Sequence, residues 1–72
     1  MDITRYKVTT IQYAHGEYRL GKPAEIIDEG SFYRIDGTHI IDKFKILSME
    51  LEDNLLTIHM EDKDVVLTVK EK

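Results

Sequence analysis

Along residues 47–72, apolar side chains recur at every second position. Leu47, Met49 and Leu51 form one set, Leu56, Ile58 and Met60 a second, and Val65, Leu67 and Val69 a third. A period of two is that of a strand with one face buried. The sets are separated by Glu52-Asp53-Asn54-Leu55 and Glu61-Asp62-Lys63-Asp64. Two-residue loops at Asp53-Asn54 and Asp62-Lys63 would set Leu51 against Leu56, Met49 against Ile58 and Leu47 against Met60. In the second hairpin Met60 would face Val65, Ile58 would face Leu67 and Leu56 would face Val69. Every apolar residue then meets another on one face, and a one-residue slip would turn a strand inside out. The pattern predicts a C-terminal three-stranded antiparallel meander. On its outer face, His59 would lie opposite Ser48 and Val66.

The N-terminal half carries shorter runs of the same kind. Tyr6 and Val8 alternate, and so do Ile11 and Tyr13, but the two pairs are out of phase across Thr9-Thr10. A break in phase predicts a β-bulge or bend. A loop at His15-Gly16 would pair Tyr13 with Tyr18 and Ile11 with Leu20. Gly21-Lys22-Pro23 interrupts the next strand, since proline removes a ladder donor and belongs at an edge or kink. Ala24 and Ile26 resume the phase, and Asp28-Glu29-Gly30-Ser31 is a turn. A short strand from Phe32 to Ile35 leads to Asp36-Gly37, a strong type I′ hairpin signal. With a two-residue loop, Tyr33 would face Ile40 and Phe32 would face Ile41. Alternatively, Thr38 caps a single helical turn over residues 39–45, with Ile40, Ile41 and Phe44 on one face. Phe44 and Ile46 are out of phase with Leu47 and Met49, so a second bulge belongs near Ile46-Leu47.

Taken together, the elements predict an all-β fold: a small antiparallel barrel or strongly curved sheet of five to six strands, SH3-like or similar. Bulges allow so small a sheet to curl. A flat sheet dimerising face to face is the alternative. Residues 1–72 make a single small β domain. A chain of this length buries only about 60% of its unfolded surface. With no cysteine, neither a disulfide nor a thiolate metal site supplements that core. Self-association is one way to add buried area. The last strand, Val65 to Lys70, presents one unpaired side unless the barrel closes, and Lys70, Glu71 and Lys72 are charges of the kind that discourage edge pairing.

Charge is unevenly distributed. The chain carries a net −4. Residues 1–24 hold Arg5, Lys7, Arg19 and Lys22 against Asp2 and Glu17, a net +2, whereas residues 25–72 carry −6. An acidic chain gains little from bulk attraction to phosphate backbones. No apolar run reaches the roughly 20 residues of a membrane span, and no apolar stretch follows the first residues as in a secretory signal. These features, with the absence of cysteine, lead to the expectation of a cytoplasmic protein.

Candidate chemistry is sparse. His15, His39 and His59 share no metal-ligand spacing and read as surface imidazoles. Asp53, Asp62 and Asp64 are residues that help a backbone turn. Ser31 and Ser48 lack the context of a nucleophile, and the four glycines are scattered rather than gathered into a phosphate loop. No catalytic, metal or cofactor site is expected, and the chain reads as a non-enzyme. The aromatic residues are more suggestive. Five of six, including Tyr6, Tyr13, Tyr18 and Tyr33, lie in the first half with the local positive charge. They suit a core with hydroxyls at the rim. They also suit a binding face, with Arg19 and Lys22 at its margin. The expected function is a non-enzymatic protein-interaction module, a small accessory protein of bacterial or phage type docking on a protein partner or on a second copy. The alternative is single-stranded nucleic-acid binding through the same aromatic, basic half, with bases stacking on tyrosine.

Overall fold

A computed structural model describes residues 1–72. The chain is all-β, with strands β1 (Tyr6–Tyr13), β2 (Gly16–Asp28), β3 (Phe32–Ile35), β4 (His39–Asp42), β5 (Ile46–Glu52), β6 (Leu55–Met60) and β7 (Asp64–Glu71). Two three-residue 3-10 turns, Ile3–Arg5 and Lys43–Lys45, precede β1 and β5. The strands form one antiparallel sheet in the order β4-β3-β2-β1-β7-β6-β5. It curls into a half-barrel measuring 28 × 26 × 24 Å. Seven strands form, against the expected five to six, because both short strands of the Asp36-Gly37 hairpin join the sheet; β2 runs on through Pro23 as a single strand.

The curl originates where the alternation changes phase. Val8 pairs with Ala24 of β2 and Val69 of β7, while Thr10 pairs with Arg19 and Thr68. Thr9 is therefore a bulge toward β7, and toward β2 it spans the four residues 20–23. The Thr9 hydroxyl donates to the Thr68 carbonyl at 3.3 Å, engaging the ladder that the bulge interrupts. The bulge turns both Val8 and Ile11 into the core, although they are three residues apart, and both have no exposed surface. Gly21-Lys22-Pro23 lies on the β2 side of the same bend, so β2 kinks without ending.

The core is a single cluster of twelve residues, all apolar, with no buried polar or charged side chain. β6 and β7 supply Leu56, Ile58, Met60, Val65, Leu67 and Val69, the alternating set of the C-terminal meander. Ile3, from the turn before β1, closes one end, its turn capped by the Asp2 carboxylate accepting from the Thr4 amide at 3.0 Å.

The meander forms, with two changes of register. In its first hairpin Leu51 faces Leu56 and Met49 faces Ile58, as the alternation requires. The bulge expected near Ile46-Leu47 is present, but it sets Ile46, not Leu47, against Met60 and leaves Leu47 68% exposed. In the second hairpin residues 61–63 lie between the strands, and the Met60 amide donates to the Lys63 carbonyl at 2.8 Å. Ile58 consequently faces Val65 and Leu56 faces Leu67. A slip of two keeps every side chain on its face. It also brings Asp64, rather than Val66, opposite His59.

Other hairpins differ similarly. The β1–β2 loop is Ala14-His15, so Tyr13 faces Gly16 and Ile11 faces Tyr18. Asp36 and Gly37 both take positive φ, 52° and 76°, but the loop includes Thr38, and Tyr33 faces Ile41 instead of Ile40. This one-residue difference decides which isoleucine is buried: Ile41 is 1% exposed and Ile40 43%. The helical turn considered for residues 39–45 shrinks to Lys43–Lys45. Its cap is Asp42, whose carboxylate accepts from the Phe44 amide at 2.9 Å, rather than Thr38.

The last strand does not leave an unpaired side. β7 pairs with β1 on one side and β6 on the other, so the last strand is interior. The outer strands are β4 and β5, consecutive in the chain and joined by the Lys43–Lys45 turn. No helix is long and apolar enough to cross a membrane.

Candidate functional site

Three turns converge at one end of the half-barrel: Ala14-His15 between β1 and β2, residues 36–38 between β3 and β4, and residues 61–63 between β6 and β7. They frame a shallow cleft of about 640 Å³ lined by Tyr13, Ala14, His15, Tyr18, Thr38, His39 and Lys63. Four aromatic rings meet there. His15 stacks on Tyr13, with centroids 5.2 Å apart and planes 8° apart, and His39 lies 5.9 Å from Tyr13 at 22°. Tyr18 meets the other three edge-on, 5.7 Å from Tyr13, 6.0 Å from His15 and 5.2 Å from His39. Such offset and edge-on contacts match the positive rim of one ring to the negative face of the next.

Hydrogen bonds fix the rings. The Tyr13 hydroxyl is 3.0 Å from His39 Nδ1, and the Tyr18 hydroxyl is 3.1 Å from His15 Nε2. Each tyrosine thus retains a polar tether while its ring lines the cleft. Partial burial, reinforced by neighbouring Tyr18, raises the Tyr13 phenol above its ordinary pKa. Lys63 Nζ approaches the Tyr13 ring to 5.8 Å from its centroid, within cation–π range. Gln12, Asp62, Asp64 and Val66 line a second shallow depression that shares Tyr13, Ala14 and Lys63 with the first.

Local sequence explains half of this arrangement. Tyr13 and Tyr18 are diagonal neighbours across the β1–β2 hairpin, within reach of large side chains on one face. His15 sits in the loop between them and folds back over Tyr13. His39 arrives from β4, which the kinked β2 and the β2–β3 pairing carry back toward the hairpin. Lys63 belongs to the three-residue β6–β7 loop beside the end of β1.

The six residues singled out from sequence do not share one surface. Tyr13 and Tyr18 come together. Tyr6 lies at the opposite end of β1, about 23 Å away at the rise of a strand, and lines a separate depression with Leu51, Asp53, Asn54 and Val69. Tyr33 packs partly against the core on β3, with Lys43 Nζ 4.8 Å above its ring. Arg19 follows Tyr18 on β2, projects from the opposite face and is 84% exposed, 3.9 Å from Glu17. Lys22 is exposed in the kink of β2. In place of Arg19 and Lys22, the cleft takes its charge from Lys63, and it takes two further rings from His15 and His39. The signal for His15 was its position two residues from Tyr13 and three from Tyr18. His39 had no local signal, because its approach depends on the curl.

His59 makes a different arrangement on the outer face of the meander. Its Nε2 is 3.0 Å from Glu50 Oε2 and its Nδ1 is 3.1 Å from Asp64 Oδ1. These two bonds, Glu50 first, hold the His59 pKa above its ordinary value. No group of three or more histidines, cysteines or carboxylates is placed to hold a metal ion. Comparison of the chain with protein-family models, curated proteins and solved structures gives no match.

Proposed function

We propose that this is a non-enzymatic protein-interaction module of the cytoplasm, docking an extended segment of a protein partner in the cleft of Tyr13, His15, Tyr18 and His39. The observation carrying the proposal is the four-ring cluster itself. Aromatic-lined shallow clefts suit extended, proline-containing peptides, which lose little conformational freedom on binding. Tyr18, 42% exposed, presents its ring at the cleft while its hydroxyl is tethered to His15. That combination of apolar body and polar tip is favoured at interfaces.

Single-stranded nucleic acid is the alternative occupant, since rings and Lys63 also suit base stacking. Asp62 and Asp64 beside Lys63, and the net −4 of the chain, favour the peptide.

The test is selection of unstructured peptides from a displayed library, followed by backbone-amide NMR titration. Enriched peptides should shift residues 13, 15, 18, 39 and 63, and Tyr18→Ala should lose binding while keeping its dispersed spectrum. Peptides that bind Tyr18→Ala as well as the native chain would sink the proposal. In the same assay, salt-sensitive shifts at these residues with mixed-sequence single-stranded DNA would transfer the cleft to nucleic acid.

A further inference from the structure

We infer that the peptide partner of the cleft binds as an added β-strand, hydrogen-bonded to the open side of β2 at Glu17 and Arg19. The inference rests on the peptide reading of the cleft and specifies the backbone groups that take part. β2 is thirteen residues long, yet β3 pairs with it only at Ile26, Ile27 and Asp28. Along its first half β2 has β1 on one side and no strand on the other. No turn or loop hydrogen bond reaches the backbone of residues 16–25. From Gly16 to Pro23 every residue is exposed except the half-buried Leu20.

The β1–β2 loop is Ala14-His15, so Tyr13 and Gly16 close a two-residue hairpin. The closing pair of such a hairpin is hydrogen-bonded, and bonded pairs alternate with unbonded ones along an antiparallel ladder. Gly16 and Tyr18 therefore turn their backbone groups to β1, and Glu17 and Arg19 turn theirs to the open side. That row of N–H and C=O groups is a template for one more strand. It lies wholly within β2, ahead of the kink, and Pro23, which has no N–H, bounds it. Glu17 and Arg19 carry opposite charges 3.9 Å apart, so the row presents no net charge to a partner.

The cleft opens along the same stretch. Tyr18, between Glu17 and Arg19, lines it, and Thr38 and His39 reach it from the β3–β4 hairpin, which is not paired with β2 there. In a strand laid against Glu17 and Arg19, every second side chain falls on the Tyr18 face, among the rings. The others fall on the opposite face, beside the Glu17 and Arg19 side chains. Main-chain bonds then supply affinity, and the ring-lined face supplies selectivity. Continuity of the row with the cleft points to one occupant for both. The mode also restricts the partner's composition. Proline fits only where the partner's backbone turns away from β2, because a ladder position needs its N–H.

The probe is a displayed-library peptide enriched on the native chain. Amide hydrogen exchange at Glu17 and Arg19 should be fast in the free chain and slow in the complex. A scan of N-methylated peptides should alternate: each ladder amide loses about three- to tenfold in affinity, the scale of one hydrogen bond, and its neighbours lose little. Arg19→Pro removes an N–H that the β1 ladder does not use, so it should abolish peptide binding and keep a dispersed spectrum. Should that variant unfold, exchange and methylation still decide. A peptide that shifts residues 13, 15, 18, 39 and 63 but leaves the Glu17 and Arg19 amides exchanging freely, or that tolerates methylation at every position, overturns the added strand and leaves the cleft reading standing. If no enriched peptide shifts those five residues, the cleft reading falls and this inference falls with it. Concentration-dependent protection of the two amides without peptide would assign the row to a second copy, and would overturn the inference as well.

Discussion

The Tyr13 hydroxyl stands 3.0 Å from Nδ1 of His39, a bond between residues twenty-six positions apart that ties the end of β1 to the start of β4. It is one of the few side-chain links between the two ends of the β1–β4 segment. Tyr13→Phe keeps the ring and removes the tether, and should cost about 0.5–1.5 kcal/mol in urea unfolding. The raised phenol pKa gives a second consequence. The folded state holds the Tyr13 proton more tightly, so its contribution is present below the ordinary value of about 10 and is lost as pH rises past it. Absorbance at alkaline pH should resolve one tyrosine titrating later than the others, and Tyr13→Phe should abolish that late step.

His59 has a pH dependence of the same sign in a different range. Glu50 and Asp64 favour its protonated form in the folded state. Their stabilisation is present below the unfolded value of about 6.5 and disappears as pH rises through the higher folded one. The native chain should therefore lose urea resistance on going from pH 6 to pH 8. His59→Gln should flatten that change, since amides cannot titrate. NMR titration of the imidazole should place its midpoint above that of a free histidine.

Register in the β3–β4 hairpin can be checked by two neighbouring substitutions. Ile41→Ala removes a side chain that is 1% exposed and should cost about 2–5 kcal/mol. Ile40→Ala, on the opposite face, should cost less than about 1 kcal/mol. Chemical denaturation of both variants measures the contrast. Equal costs, or the reverse order, would require the two-residue loop instead.

Gly37 and Gly21 form a similar pair for the backbone. A methyl group at either meets nothing within 4 Å, so packing does not distinguish them. Gly37 has φ 76°, a left-handed conformation that costs an L residue roughly 1–2 kcal/mol. Gly37→Ala should be destabilising by about that amount. Gly21→Ala, with no positive φ, should be neutral or gain a few tenths of a kcal/mol by restricting the unfolded chain. Thermal melts of the two variants decide it.

Much of the fold was legible because side-chain alternation is a local property. The faces of β5, β6 and β7, both bulges and the all-β class follow from which residues are apolar. Register was less legible because it depends on loop length. At Asp36-Gly37 the loop took a third residue, and after β6 it took residues 61–63 in place of 62–63. A slip of two preserved the faces of β7 but changed the partner of His59 from Val66 to Asp64, which created the carboxylate bracket. In the cleft, Tyr13 and Tyr18 were visible as hairpin neighbours. His39 and Lys63 were not, because only the bend at Thr9 and the pairing of distant strands bring them near. Whether β7 has a free side was not legible for the same reason: its ladder with β1 joins the two ends of the chain.

That ladder has a consequence for connectivity. Reading across the sheet from β5 gives β5, β6, β7, β1, β2, β3 and β4. Lys72 N–H donates to the Arg5 carbonyl at 3.3 Å, so the ends of this segment lie side by side. A chain with residue 72 linked back to residue 1, and opened within Lys43–Lys45, would be an uninterrupted up-and-down meander in which every pair of adjacent strands is consecutive. The native order is therefore a circular permutation of that simplest path. All of its long-distance search during folding is confined to one event, the zipping of β1 against β7.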